Sequence, residues 1–274
     1  MSLLPIKELV NPTPDIRLIA TDVDGTLTQH EKFIASLLEA ILKLEQVGIP
    51  LVLVTGRSTG WVDALRYYLP VAGAIAENGG VYLGKTGSFQ LLSSISDPTA
   101  HRQKLADTFH NLKREFPQLQ ESADNCFRLT DWTFDVVGLT MANIEAIALQ
   151  CQKWGWSFTY STVQCHIKPL EQDKAQGLRQ VLHQYFPQIQ PEQVLTIGDS
   201  PNDQSLFGHQ FPQSVGVANV LAYRDLMENL PRYVTTKSEV EGFCEVVNGV
   251  AEERYELLRD WHIPEFKIVQ QQSN

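Results

Sequence analysis

The stretch Leu18–Thr28, with the sequence LIATDVDGTLT, decides the fold of this chain. Its first four residues are apolar or β-branched, so they predict a buried strand of a parallel sheet that ends at Thr21. Asp22 and Asp24 follow directly, and Gly25 predicts a turn behind them. Ligands of open α/β sheets bind beyond the carboxyl ends of the strands, where these two carboxylates lie. An aspartate there can attack phosphorus, although Asp and Gly after a strand are also ordinary turn formers.

Strand and helix patterns on both sides of this stretch predict an α/β fold with a Rossmann-like, doubly wound parallel sheet. Apolar residues recur at helical spacing from Phe33 to Leu42, which places a crossover helix directly after the first strand. The remaining core strands are predicted at residues 51–54, 73–76, 194–197, 214–217 and 233–235. The remaining core helices are predicted at residues 61–69, 174–185 and 221–226, and from Val240 onward. Residues before Arg17 predict an extended lead-in, and those after Trp261 a loosely held tail.

An inserted α+β pattern interrupts the core, and the turn Glu77-Asn78-Gly79-Gly80 is expected to lead out of the sheet toward it. Helices are predicted there at residues 98–116 and 142–154, and strands at residues 127–129, 134–137, 157–160 and 164–168. Strands that pair around two helices are typical of a small separate domain. We therefore predict a core of residues 1–83 and 170–274 and a cap domain of residues 84–169.

Composition excludes several classes of partner. The formal charge of −10 and the lack of any basic run argue against nucleic acid, since binding to a phosphate backbone requires clustered Lys and Arg. No apolar stretch has the length of a membrane span, which argues against a membrane partner. The four cysteines are scattered without metal-type spacing, as in a reduced cytoplasmic protein. The expected partner is a small phosphorylated metabolite.

Three further motifs follow the first one. Thr55-Gly56-Arg57 stands at the end of the second strand, where a hydroxyl and free N–H groups make a good anion site. Lys174 begins a helix after the insertion, and the stretch Gly198–Asp203 follows a later core strand. Each string alone could be a turn, a helix cap or a surface charge. Together, in this order and spacing, they resemble the four motifs of the haloacid dehalogenase superfamily of phosphatases.

A metal site is predicted from the acidic residues. In a doubly wound sheet, the strand ends bring four carboxylates into one small volume, where they would repel one another without a cation. These residues are Asp22, Asp24, Asp199 and Asp203. All of the ligands are oxygens, which favours a hard ion, and phosphoryl chemistry favours Mg²⁺ over Ca²⁺.

The resemblance also implies roles for individual residues. Asp22 would be the nucleophile and a metal ligand, and Asp24 would be the general acid and base and bind the metal through its backbone carbonyl. Asp199 would supply a second carboxylate, and Asp203 would bind the metal directly or through water. The groups expected to bind or position the phosphate are Thr55, Gly56, Lys174 and Asn202. The residues after Lys174, Ala-Gln-Gly, depart from the family's Lys-Gly-x-Ala order.

Substrate choice is expected to depend on the cap. The insertion resembles the class IIB, Cof-like type. Residues 155–174, together with residues 77–80 and 198–203, resemble archaeal-type phosphoglycolate phosphatases and, less closely, mannosyl-3-phosphoglycerate phosphatases. Gly25 stands where sucrose-phosphate phosphatases have Asn, which argues against that subgroup. The candidate specificity residues are Arg57, Asn78, Arg128, His166 and Lys168, each of which could also be an ordinary surface residue.

The resulting hypothesis is an Mg²⁺-dependent phosphatase that acts on a sugar phosphate or a phosphoglycolate-like ester through an aspartyl phosphate. Three alternatives remain at this point. A phosphomutase would use the same nucleophile but keep the phosphoryl group. A phospho-receiver domain also combines acids and a Lys, but its nucleophile does not follow the first strand and it lacks so long an insertion. A non-catalytic phosphate binder would have no need of both Asp22 and Asp24.

Overall fold

The computed structural model describes residues 3–9 and 15–260. Its strands are β1 Leu4–Pro5, β2 Leu18–Thr21, β3 Leu51–Val54, β4 Gly73–Ala76, β5 Val81–Gly84, β6 Phe89–Leu91, β7 Trp132–Asp135, β8 Ser157–Tyr160, β9 Gln164–Lys168, β10 Val194–Gly198, β11 Gln213–Gly216 and β12 Tyr233–Val234. Its helices are α1 Ala35–Gln46, α2 Thr59–Tyr68, α3 Pro98–Glu115, α4 Met141–Lys153, α5 Lys174–Tyr185 and α6 Glu239–Asp260. Short 3₁₀ segments lie at Ile6–Glu8, Ala123–Phe127, Pro191–Gln193, Pro201–Phe207 and Ala218–Leu226.

The larger sheet is doubly wound, as predicted. Nine strands follow the order β1-β12-β11-β10-β2-β3-β4-β5-β6, and all pairs from β1 to β4 are parallel. One face is covered by α1, α2 and α6, and the other by α5, with a buried hydrophobic cluster on each side. Because β2 and β10 are neighbours in the middle of the sheet, the loops after them meet at one edge.

The turn at Glu77-Asn78-Gly79-Gly80 does not lead out of the sheet, so that expectation is wrong. The chain reverses there, and β5 and β6 extend the same sheet as an antiparallel hairpin next to β4. Both Glu77 and Asn78 have positive φ angles, of 53° and 52°, which the tight reversal requires. The domain boundary at residues 83 and 84 stays a proposal, and the pairing of β6 favours a later boundary.

The inserted part has its own three-stranded antiparallel sheet, in the order β7-β9-β8, packed against α3 and α4. Side chains alternate along β9, so Cys165 and Ile167 pack into the hydrophobic cluster with the two helices. Gln164, His166 and Lys168 lie on the opposite face. The strand expected at residues 127–129 is absent from the described structure, where a 3₁₀ segment and an extended link run instead.

The first residues contribute more than an extended lead-in. Strand β1 pairs in parallel with β12 at the edge of the large sheet, and Leu9 is buried in the core. The tail expected after Trp261 lies outside the described residues. Within residues 3–9 and 15–260, no helix has the length and apolar character needed to cross a membrane.

Candidate active site

The ends of three neighbouring strands position the predicted catalytic loops. Thr21 of β2 pairs with Ile197 of β10, and the N–H of Asp22 continues this ladder by donating to the Ile197 carbonyl at 2.9 Å. On the other side of β2, Thr55 follows β3, and its N–H bonds to the Ile75 carbonyl at 2.9 Å. The backbone ladder therefore fixes where each loop begins, and the polar side chains leave the sheet at a common edge.

Lys174 lies at the centre of this edge and is completely buried. Its Nζ donates to Asp22 Oδ1 and to Asp203 Oδ1, each at 2.6 Å. The two carboxylates hold the pKa of Lys174 above its ordinary value, even though burial alone would lower it. The ammonium is therefore charged and fixed next to Asp22, which a lysine on the solvated surface of a helix would not be.

Three of the predicted acids form a cluster that fits a metal ion. One carboxylate oxygen from each of Asp22, Asp199 and Asp203 lies within 4.8 Å of the others. Burial raises the pKa of Asp22 to about 7, and burial together with the charges of Asp22 and Asp203 raises the pKa of Asp199. Oδ1 of Asp199 is buried and has no hydrogen-bond partner among the described residues. A buried oxygen without a donor, among anions that repel one another, is what a hard cation would stabilise.

Neighbouring groups hold this cluster in place. Asp203 Oδ2 accepts from the N–H groups of Asp199 and Ser200, at 2.9 and 3.2 Å, and Asp199 Oδ2 accepts from Asn219 Nδ2 at 2.8 Å. Gly25 has a φ of +78°, and a Cβ at this position would collide with the Asp199 carboxylate. The glycine of the first motif is thus required by the close approach of the two loops.

The Asp24 side chain does not join the cluster, so the expected group of four carboxylates contains three. Arg57 binds Asp24 through two parallel hydrogen bonds, Nε to Oδ2 at 2.8 Å and Nη2 to Oδ1 at 2.6 Å. The guanidinium also lies over the Trp61 ring, 4.6 Å from its centre. Arg57 therefore contacts a predicted catalytic residue in addition to being a candidate for specificity.

The predicted phosphate loop lies beside these acids in a narrow cleft. Thr55 is buried and accepts from the Arg57 N–H at 3.1 Å, and a Cβ at Gly56 would lie 3.0 Å from the His166 ring and 3.1 Å from Asn78 Nδ2. Asn202 donates to Asn78 Oδ1 at 3.1 Å, and Asn78 Nδ2 is buried without a partner in the described part of the chain. The cleft is lined by Asp22, Asp24, Thr55, Gly56, Arg57, Ser161, Val163, Gln164, His166 and Asn202.

The candidate specificity residues of the cap separate into different environments. Arg128 is buried, and its guanidinium donates to the Gly56 carbonyl at 2.9 Å and to three side chains. These side chains belong to Asp124, Asp131 and Gln164. Every donor of Arg128 is therefore used within the protein, and the residue joins the cap to the phosphate loop instead of facing a substrate. His166 does line the cleft.

Asp131 and Glu77 are functional candidates that the sequence analysis missed. Asp131 accepts from Arg128 and contacts His166 Nδ1 at 2.9 Å, which orients the Nε2 side of the ring. Burial opposes ionisation of Asp131, but Arg128 and His166 hold its pKa below the ordinary value. Glu77 is fully buried and accepts from the backbone N–H groups and hydroxyls of Thr59 and Thr130, with a further bond from the Leu129 N–H.

Spacing in the sequence does not reveal the long-range partners of these two residues, which include His166 for Asp131 and Leu129 and Thr130 for Glu77. The bonds of Glu77 to Leu129 and Thr130 join positions 52 and 53 residues apart. The one available signal for Glu77 was a charged residue directly after a fully apolar strand, the same signal that identified Asp22.

Comparison with known proteins agrees with this geometry. A sequence profile described as sucrose-6F-phosphate phosphohydrolase matches residues 16–248. The chain belongs to this family. It is therefore a phosphatase of the haloacid dehalogenase superfamily, as the four motifs predicted. The argument from Gly25 against the sucrose-phosphate phosphatases is wrong as an argument about family membership.

Individual relatives are more distant. A phosphoglycolate phosphatase of Thermoplasma volcanium is 28% identical over 200 residues, which cover 70% of this chain and 81% of the relative. One from Methanothrix thermoacetophila is 28% identical over 239 residues, which cover 85% of this chain and 96% of the relative. A crystal structure of protein 0175 of Thermoplasma acidophilum shares the fold of this family member, with a TM-score of 0.67, 22% identity, and coverage of 88% of this chain and 98% of that one.

Proposed function

We propose that this family member is an Mg²⁺-dependent phosphatase that hydrolyses a small phosphomonoester through an aspartyl phosphate on Asp22. The observation that supports this most directly is the contact of the buried Lys174 ammonium with Asp22 Oδ1 and Asp203 Oδ1, at 2.6 Å each. Lys174 orients one oxygen of Asp22, which leaves Oδ2 for attack on phosphorus. The curated relatives named as phosphoglycolate phosphatases support a small metabolite as the substrate.

In the first step, Asp22 Oδ2 forms a bond to phosphorus while the bond from phosphorus to the ester oxygen breaks. Asp24 donates a proton to the departing oxygen. In the second step, a water oxygen attacks phosphorus, Asp24 takes the proton of this water, and the Asp22 carboxylate leaves. Lys174, Thr55 and the N–H groups near Gly56 stabilise the equatorial oxygens, where most of the catalysis of phosphoryl transfer arises.

The carboxylates of Asp22, Asp199 and Asp203, with the main-chain carbonyl of Asp24, would hold Mg²⁺, which supplies positive charge next to the phosphoryl oxygens. The orphaned Oδ1 of Asp199 supports this assignment.

The contact between Arg57 and Asp24 constrains the first step. The bidentate guanidinium occupies both oxygens of Asp24, whereas in the first step one of them must donate a proton to the departing oxygen. The phosphate dianion of a substrate offers Arg57 an alternative partner at the same cleft. Release of Asp24 would then accompany substrate binding, so that the acid becomes competent only when the cleft is occupied.

The test is phosphate release from a panel of phosphomonoesters, including phosphoglycolate and several sugar phosphates, with Mg²⁺ and with excess chelator. Asp22→Asn is nearly isosteric and is expected to lower turnover on the order of 10⁵-fold, as removal of a nucleophile does. Asp24→Asn is expected to cost about 10²–10⁴-fold through lost acid–base catalysis. The matched control is Asp107→Asn, on an exposed face of α3, which should behave as the wild type.

The same assay separates the alternatives. Retained turnover in Asp22→Asn would remove Asp22 as the nucleophile. Conversion of a sugar phosphate into its positional isomer without release of phosphate would identify a phosphomutase, and binding of phosphate without any turnover would identify a non-catalytic binder.

A further inference from the structure

A second lysine, at the end of β9, is buried next to the cleft. The Lys168 side chain is on the same face of the cap sheet as His166, and the residue is 5% exposed. Its Nζ donates to Ser157 Oγ at 3.2 Å and to the main-chain carbonyl of Gln172. Within the described part of the chain, no carboxylate forms an ion pair with it. The Asp173 carboxylate, which is near in sequence, caps α5 by accepting from the Gln176 N–H at 2.7 Å.

This arrangement is unusual for a buried charge. Buried lysines are normally paired with an acid, because neutral oxygens replace the lost hydration only in part. Burial lowers the pKa of Lys168 to about 8, against the smaller opposing effects of Asp173 and Asp131. The protein therefore maintains an ammonium in a position where an anion from outside would complete its environment.

The space next to Lys168 adjoins the proposed site of attack. A cavity of about 210 Å³ is lined by Lys168 and Ser157 from the cap and by Asn78, Lys174 and Asn202 from the core. Asn202 also lines the cleft that contains Asp22, so this residue borders both spaces. A substrate with its phosphoryl group at Asp22 would reach the ammonium by passing Asn202.

We propose that Lys168 binds a carboxylate on the leaving group of the substrate, so that the preferred substrates are phosphate esters of small hydroxy acids. This inference rests on the proposed function. Among the other cap candidates, Arg128 has no free donor, and His166 is held by Asp131, so Lys168 is the cation that remains for a carboxylate.

The size of the cavity supports the same class of substrate. Sites for drug-sized ligands measure about 300–1,000 Å³, so about 210 Å³ suits an acid of two or three carbons rather than a disaccharide. A larger cavity of about 870 Å³ lies on the other side of Leu170 and Gln172, but it is lined neither by Lys174, which contacts Asp22, nor by Asn202. A leaving group bound there would not be next to Asp22.

The experiment compares two esters with the same two-carbon skeleton, 2-phosphoglycolate and 2-hydroxyethyl phosphate, which differ in the carboxylate. The ratio of their kcat/KM values is measured in the wild type, in Lys168→Met and in Lys153→Met, the same change at an exposed position of the cap helix α4. We expect the ratio to fall about 10- to 100-fold in Lys168→Met, the range for loss of a hydrogen bond to a charged group. It should stay constant in Lys153→Met.

A second measurement does not depend on folding of the variant. Glycolate should inhibit the wild type competitively, and ethylene glycol at equal concentration should not. Should Lys168→Met fail to fold, Lys168→Gln is measured in its place together with this inhibition. An unchanged ratio in the Lys168 variants, or equal inhibition by the two alcohols, would overturn the assignment. Phosphate release from neutral esters alone would overturn this inference and leave the phosphatase proposal intact, whereas release from no ester would overturn both.

Discussion

Two buried lysines stand on either side of the point where the chain returns from the cap to the core, and they have opposite surroundings. Lys174 lies between the carboxylates of Asp22 and Asp203, which raise its pKa. Lys168 has only neutral oxygens as partners, and burial lowers its pKa to about 8. The comparison assigns the two lysines different roles. The charge of Lys174 is neutralised by acids of the protein and serves catalysis, whereas the charge of Lys168 is available to bind the substrate.

Replacement of Lys174 should have the largest effect and should not discriminate between substrates. Lys174→Met removes a donor that stabilises phosphoryl oxygens in every substrate, so kcat/KM should fall by about 10²–10³-fold or more. The measurement uses 2-phosphoglycolate and 2-hydroxyethyl phosphate, and both values should fall together. A change in their ratio as large as that expected for Lys168→Met would mean that the two lysines do not have separate roles.

The preference for 2-phosphoglycolate over 2-hydroxyethyl phosphate should depend on pH in the way that titration of Lys168 predicts. As the pH rises through about 8, the Lys168 ammonium loses its proton in the free enzyme, so the ratio of the two kcat/KM values should fall. The ratio cancels the titration of groups that act on both esters, including Asp22. The charged groups with the largest effects on Lys168 are Asp173 and Asp131. A ratio that stays constant to pH 10 would contradict the assignment.

The smallest effects are expected in stability. In the presence of chelator at pH 7, Lys174→Met should lower the free energy of unfolding by about 3 kcal/mol, because it leaves buried carboxylates unpaired. Lys168→Met should be as stable as the wild type or more stable, because it removes an unpaired buried charge.

The sign of the Lys168 effect can be checked against pH. The native pKa of about 8 lies below the ordinary value of 10.5, so the unfolded state binds more protons between these two values. The contribution of Lys168 to stability should therefore rise over this range, and any advantage of Lys168→Met should be largest below pH 8 and shrink toward pH 10.5. Urea unfolding of the wild type and both variants at several pH values measures these differences. Strong destabilisation by Lys168→Met would show that its contacts to Ser157 and Gln172 outweigh the cost of its charge.

Local patterns predicted the strands of the core well because each one is a short apolar run with a polar or glycine boundary. The strands at Leu51–Val54 and Gly73–Ala76 agree with prediction to the residue. The hairpin after Glu77 was missed because a turn rich in Asn and Gly does not reveal whether the next strand pairs with the same sheet. A strand was predicted at residues 127–129, where the structure has the end of the 3₁₀ segment Ala123–Phe127 followed by an extended link, since short apolar runs carry no clear period.

In the candidate site, too, some features could be predicted from the sequence and others could not. Asp22, Asp199 and Thr55 could be predicted because parallel strands bring their carboxyl ends together whatever the side chains do. The side-chain partners could not be predicted from spacing. Nothing near Asp24 indicates that Arg57 binds it, and nothing near Arg128 indicates that all its donors are used. The pairing of Arg57 with Asp24 depends on how two core loops meet, and the contact of Arg128 with Gly56 depends on how the cap lies over the core; a single sequence specifies neither.

The buried carboxylate of Glu77 has a consequence for protein engineering. It joins the core to Leu129 and Thr130, in the middle of the inserted segment, so the insertion is attached at more than its two chain crossings. A transplanted cap without matching donors at positions 129 and 130 would leave the buried Glu77 carboxyl group without these partners. Chimaeras of this family should therefore exchange position 77 and its threonine partners, Thr59 and Thr130, together with the cap as one unit.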